Sequence, residues 1–337
     1  MTLQNLWFIL IAVLFIGFFF LEGFDFGVGM AIRFIARGRT ERDQLVRTIG
    51  PVWDGNEVWL LTAGGAIFAA FPHWYATMFS GYYIPLVVVL LALILRGVSF
   101  EFRSKMETEK SRNLWDWILF FSSLLPPFLL GVLFTSMVKG MPIDASMNMN
   151  AGFFDYISLY SIVGGVAVTL LCLLHGLNFI SARTLGGVRE RAAALAKKLY
   201  FLLYAGLVAF AVLTFVYTDF FTVRAAVTIA ILATIVVVSL LTHYAVASRR
   251  ESLAFGLSGL TLALVVVLLF AGLFPRVMVS SLGSAYDMTI NAAASSPYTL
   301  RLMTIVSVII LPFVLAYQAW GYYVFRQRIN KAPEAAD

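Results

Sequence analysis

The chain has 337 residues, 61% of them hydrophobic and only 12% charged, with a mean hydropathy of +0.89 and a net charge of +6. Soluble domains carry about 25% charged residues, so this composition excludes an ordinary soluble enzyme and predicts an all-α polytopic membrane protein. One cysteine, Cys172, excludes a disulfide framework, a cysteine-based zinc site and an iron–sulfur cluster held by this chain alone. The positive balance is no argument for nucleic acid, because the basic residues lie in short loops beside apolar segments.

A membrane-crossing helix needs about 20 apolar residues. The N-terminal stretch MTLQNLWFIL has no basic leader and no small-residue cleavage site, so the first helix is expected to be retained. Nine spans are predicted, at 6–32, 52–71, 78–100, 114–138, 156–180, 199–217, 223–247, 253–274 and 300–325. The sixth and seventh are divided only by Thr218-Asp219-Phe220-Phe221-Thr222. The largest loops, 139–155 and 275–299, are too short for a domain, so residues 1–337 form one integral-membrane domain with a short cytoplasmic tail at 326–337.

Cytoplasmic loops of membrane proteins are enriched in Lys and Arg. With nine spans, 19 of the 24 basic residues fall on one side, in the segments after spans one, three, five and seven and in the tail. The exceptions are Arg96, Lys139, Arg224, Arg276 and Arg301. The N-terminus is therefore expected outside and the C-terminus in the cytoplasm.

That orientation gives the acids a depth. Asp25 lies eight residues before Arg33, about 12 Å from the cytoplasmic end at helical rise. Glu22 is one turn deeper. Asp54 and Glu57 fall in the first two turns of the second span, Glu101 ends the third, and Asp116 begins the fourth. The i, i+3 spacing puts each acid pair on one helix face, and Gly23 with Gly27 allows another backbone to approach. Two readings of Asp54 and Glu57 stand side by side: an N-cap with its capping-box partner, or a functional pair. Glu22 and Asp25 lie too far inside their span for capping. They either pair with Arg96 or, as intramembrane acids commonly do, mark a proton or ion route. Neighbouring carboxylates hold a proton readily, which favours a proton entry facing the cytoplasm.

Histidine is scarce. His73 lies in an outer loop, and His175 with His243 is the only conceivable pair for a bis-histidine haem. Lone histidines at helix ends usually pack, so any redox metal is expected on another chain. GVG at 27–29 follows no strand and lacks the third glycine of a dinucleotide fingerprint.

The segments EGFDFGVGM (22–30), GPVWDGNEVWLLTAGGAIFAAFP (50–72), LRGVSFEFRSK (95–105), WDW (115–117), NAAASSPYTLRLMT (291–304) and LPFVLAYQAWGYYVFRQRI (311–329) resemble subunit II of the cytochrome bd quinol oxidases. The middle of the chain, roughly 140–275, resembles that family mainly in hydropathy. The resemblance implies a heterodimer with a similar subunit I in a bacterial cytoplasmic membrane. Subunit I would carry two b-type haems, one d-type haem and the quinol site. Oxygen would be reduced to water with protons drawn from inside, making the reaction electrogenic without a pump. Subunit II would support assembly and contribute the proton route. The family's WDG aspartate matches Asp54 and its first-helix GFD aspartate matches Asp25. The acid before that one, often Asp in relatives, is Glu22 here. Glu57 joins this proton-path group, and Arg96, Glu101 and Asp116 form the expected supporting polar cluster. No catalytic, cofactor-binding or metal residue is expected on this chain. A small accessory subunit, membrane lipids and a structural lipid or quinone among the Phe-rich helices complete the expected partners. The rival reading is a proton-coupled transporter acting alone, hinted at by two acid-Gly-x-acid units 32 residues apart.

Overall fold

The computed structural model describes residues 2–330. Lys331 and the rest of the expected tail lie outside the described residues. The helices are, in order, α1 (Leu3–Ile35), α2 (Gly38–Ile49), α3 (Trp53–Ala70), α4 (Pro72–Gly81), α5 (Tyr83–Lys105), α6 (Glu109–Lys139) and α7 (Phe153–Tyr156). They continue with α8 (Leu159–Arg183), α9 (Gly187–Tyr217), α10 (Phe220–Val223), α11 (Ala225–Ala247), α12 (Glu251–Leu273), α13 (Ile290–Ala293) and α14 (Pro297–Val324). A long helix underlies each predicted span, although the one expected at 78–100 starts in the end of α4, breaks at Tyr82 and continues as α5. Among the described residues, eight helices are long and apolar enough to cross a membrane. The ninth, α3, has 18 residues and opens with the polar WDGNE segment.

Two differences concern the basic segments. Arg39, Arg42 and Arg47 lie on the separate amphipathic helix α2, not in a loop. The sixth span begins twelve residues before the expected 199, so Arg189, Arg191, Lys197 and Lys198 extend α9 beyond its apolar stretch. An apolar pattern marks the lipid-crossing part of a helix but not where its backbone hydrogen bonding stops.

Helix α1 is the axis of the bundle. It packs against α3, α6, α8 and α12, and its stretch from Glu22 to Ile32 is buried throughout. Close packing with α8 rests on Gly27 and Gly176. A Cβ on Gly27 would stand 2.1 Å from the Cys172 carbonyl oxygen and 2.7 Å from the Gly176 Cα. The backbones thus cross at a distance that only glycine permits. Gly23, the other half of the expected step, faces Leu262 and Cys172 side chains instead.

By contrast, α14 lies on the flank and is largely exposed along its length. It is tied near its start, where the Trp7 indole donates to the Leu300 carbonyl at 3.2 Å and to Thr304 at 3.1 Å. Beyond its end, the Ile329 amide donates to the Arg183 carbonyl (2.8 Å), and Gln44 Nε2 donates to the Ile329 carbonyl (2.9 Å). At the opposite end of the bundle the two long loops pair: the amide of Met141 donates to Val279, and that of Ser281 donates to Met141. A short antiparallel pair, β1 (Arg276–Met278) with β2 (Met288–Thr289), closes this cap.

Candidate functional site

Three helices bring the first-span acids, the WDGNE segment and Arg96 together. Arg96 of α5 has no solvent exposure, and neither have Glu22 and Asp25 of α1. Arg96 Nη2 pairs with Glu22 Oε1 and, at 3.1 Å, with Glu57 Oε2 of α3. The guanidinium also lies 4.7 Å from the Phe26 ring centroid, a favourable cation–π distance. Packing holds the frame: Trp53 fills the notch at Gly97, where a Cβ would come within 3.0 Å of the indole, and stacks obliquely on Phe100.

A second set of bonds runs through Asn56. Its Nδ2 donates to Asp25 Oδ2 at 2.7 Å, and its Oδ1 accepts from the Tyr322 hydroxyl at 2.7 Å and from Gln318 Nε2 at 3.4 Å. Trp59 Nε1 donates in turn to Gln318 Oε1 at 2.9 Å. One buried amide therefore links α1, α3 and α14. The WDGNE stretch is a hub: Glu57 reaches Arg96, Asn56 reaches Asp25 and α14, and Asp54 is exposed on the side of the chain. Asp54 acts electrostatically on Glu57 and has no hydrogen bond or ion pair to another side chain among the described residues.

The capping reading of Asp54 and Glu57 is not what the helix shows. Val52 is the N-cap of α3, no side chain caps it, and Asp54 sits inside the first turn.

The expected supporting cluster is also divided. Arg96 belongs with Glu22 and Glu57. Asp116 instead accepts from Arg42 Nη1 at 2.7 Å and from Arg103 Nε, while Arg103 Nη1 binds Asp43. This second network ties α2 and α5 to α6. Glu101 joins neither: its side chain is 73% exposed and meets only Lys105, one turn on, at 3.7 Å. Glu101 is five residues after Arg96 and two before Arg103, which at 3.6 residues per turn puts it on roughly the opposite side of α5 from both arginines.

Asn56, Gln318, Tyr322, Arg42, Asp43 and Arg103 were not singled out by sequence. Asn56 stood in plain view between Asp54 and Glu57, but a neutral amide gives no charge signal. The partners on α14 could have been found only from their polarity within an apolar span.

The histidines have other duties. His175 Nε2 bonds the Phe20 carbonyl at 2.9 Å and Nδ1 meets the Ser258 hydroxyl at 2.8 Å, with the ring stacked on Phe255. A ring with both nitrogens so engaged does not fit iron ligation. His243 bonds Tyr204 through Nδ1 at 2.9 Å and stacks on Tyr200, in a separate environment. Between α6, α8, α9 and α12 lies a cavity of about 360 Å³, walled by apolar side chains including Phe134, Leu171, Leu203 and Val266.

A family model described as cytochrome bd terminal oxidase subunit II matches residues 3–325. The chain belongs to that family. It is 56% identical over 329 residues to the cytochrome bd ubiquinol oxidase subunit 2 of Bacillus subtilis (strain 168), covering 98% of this chain and 97% of the relative. Identity to the cytochrome bd-I ubiquinol oxidase subunit 2 of Escherichia coli (strain K12) is 36% over 363 residues, covering 98% and 96%. The fold is similar to a chain in the structure of the bd oxidase from Geobacillus thermodenitrificans, with a TM-score of 0.77 at 16% identity over 96% of this chain and 99% of that one. Membership makes this a multi-pass membrane subunit of a terminal oxidase, and it gives no support to a transporter working alone.

Proposed function

We propose that this subunit carries protons from the cytoplasm toward an oxygen-reducing haem centre held by subunit I of a quinol oxidase. The observation that carries the reading is the pairing of Glu22 and Glu57 with the one buried guanidinium of Arg96, with Asp25 buried a turn away on Asn56 and Asp54 exposed beside them on α3. One guanidinium cannot neutralise three carboxylates. An interior surplus of carboxylates is costly as charge and is suited to hold and exchange protons. Arg96 positions Glu22 and Glu57; Asn56 positions Asp25. Asp54 serves as the group at the rim, handing protons across the chain boundary or receiving them from the cytoplasm.

An aspartate on the flank of a membrane helix cannot face hydrocarbon cheaply. It calls for a polar cover, and subunit I supplies it along α3 and the exposed face of α14, forming the heterodimer. Nine spans with the N-terminus outside put this network in the cytoplasmic half of a bacterial cell membrane. In the assembled oxidase two b-type haems, one d-type haem and the quinol site belong to subunit I. The haems supply the redox chemistry; this chain supplies protons and a surface for assembly. The apolar cavity between α6, α8, α9 and α12 suits the hydrocarbon tail of a structural lipid or quinone.

The test is Asp54→Asn in the assembled oxidase. Oxygen consumption per haem should fall while the reduced-minus-oxidised haem spectrum persists. Normal turnover would remove Asp54 from the route, and loss of all haem would make its role structural.

A further inference from the structure

We infer that the corner where α1 ends and α6 begins is a binding site for the headgroup of an anionic phospholipid. The site is separate from the acid–Arg96 network. Arg33, in the last turn of α1, lies 4.1 Å above the Trp117 ring and donates through Nη1 to Asn113 Oδ1 at 2.9 Å. Arg42 stands within electrostatic range of Arg33. Arg112 precedes Asn113 near the start of α6. Positive charge is in excess here. Asp116 is engaged by both Arg42 and Arg103, and Asp43 by Arg103 with Arg39 at 3.8 Å. Glu109, one turn before Arg112, is exposed and makes no ion pair among the described residues. Arg33 is part-exposed and engages Asn113 through one of the five N–H groups of a guanidinium, so donors remain for an incoming acceptor.

The surroundings identify the acceptor's carrier. Phe34 is 59% exposed, Leu114 59%, Trp117 39% and Phe121 57%. The rings of Phe34, Phe120, Trp117 and Phe121 form one contiguous aromatic group. An exposed aromatic surface directly beside surplus arginines matches the chemistry of a lipid at the membrane boundary: phosphate against guanidinium, acyl chain along the rings. A free phosphate would use the arginines and leave the aromatic face unexplained. A zwitterionic lipid would bring its own cation against Arg33 and Arg42.

The experiment uses the assembled oxidase, delipidated in detergent and titrated with phosphatidylglycerol or phosphatidylcholine under native mass spectrometry. Phosphatidylglycerol should bind preferentially, and the double variant Arg33→Gln, Arg112→Gln should weaken it by on the order of 25-fold, about fivefold for each arginine. The pair Arg33→Lys, Arg112→Lys keeps the charge and should retain the preference. Equal binding of the two lipids by the native complex would overturn the proposal without any variant. So would unchanged phosphatidylglycerol binding by the glutamine variant, or displacement of the lipid by millimolar inorganic phosphate.

Discussion

Arg96 and Glu22 form an ion pair sealed from bulk solvent, since both side chains have no exposure. Such pairs add little net stability compared with apolar packing. Removing one partner, however, strands the other charge at a cost of about 3–5 kcal/mol. Replacing Arg96 by Gln should therefore abolish most of the assembled oxidase, read as haem absorbance per milligram of membrane protein. Adding Glu22→Gln to Arg96→Gln removes the stranded charge and should recover part of that absorbance. If the double variant assembles no better than the single one, Arg96 acts through something other than Glu22.

Asn56 is more exacting than a charge because it both donates and accepts. Asn56→Leu would strip Asp25 of its 2.7 Å donor and leave the Tyr322 hydroxyl without its acceptor. Each buried polar group left unpaired costs about 1–3 kcal/mol. The assembled oxidase should be less heat-stable and turn over more slowly, whereas Tyr322→Phe, which removes one partner only, should have the smaller effect on both. Equal thermal inactivation of the two variants would show that Asn56 is not the junction.

The broad architecture was legible because the bilayer leaves so few options. Runs of apolar residues near span length, with basic residues at alternate ends, allow little but a helical bundle. Charged residues within such runs announced themselves: Glu22, Glu57 and Arg96 do meet, and Asp25 joins the same α3 segment through Asn56. What sequence could not give was partner choice. Asp116 and Glu101 look alike as acids near the same helix ends, yet one is sandwiched by Arg42 and Arg103 and the other is exposed. The difference comes from rotation of α5 and α6 and from α2 presenting Arg42 and Asp43 to one face of that pair, which hydropathy does not encode. Neutral hubs such as Asn56 and Gln318 are silent for the same reason.

The crossing of α1 and α8 makes a steric prediction. Gly27→Ala places a methyl group 2.1 Å from the Cys172 carbonyl oxygen, an atom of a helix backbone that cannot swing aside. Overpacking usually costs about 1–3 kcal/mol. Here the two helices must separate, so the yield of assembled oxidase should drop and its thermal inactivation should come several degrees earlier. Gly206→Ala on α9, where no atom lies within 4 Å of the added carbon, is the matched control and should be neutral or slightly stabilising. Tolerance at Gly27 equal to that at Gly206 would mean the crossing is looser than described.

Asp116 provides the separation between holding the fold and moving protons. It lies in the network of Arg42, Arg103 and Asp43, and none of its ion pairs reaches Glu22, Glu57 or Arg96. Asp116→Asn keeps the size and removes the charge that draws two arginines together, leaving Arg42 without its counter-ion and Arg103 with Asp43 alone. Helix α2 is held to α6 through Arg42 and to α5 through Asp43, so losing the first tie should loosen it and residues 38–49 should become easier to cleave with trypsin. Turnover per assembled haem should stay near normal, in contrast to Asp54→Asn. A variant with intact α2 but slowed oxygen reduction would instead place Asp116 on the proton route and join the two networks into one.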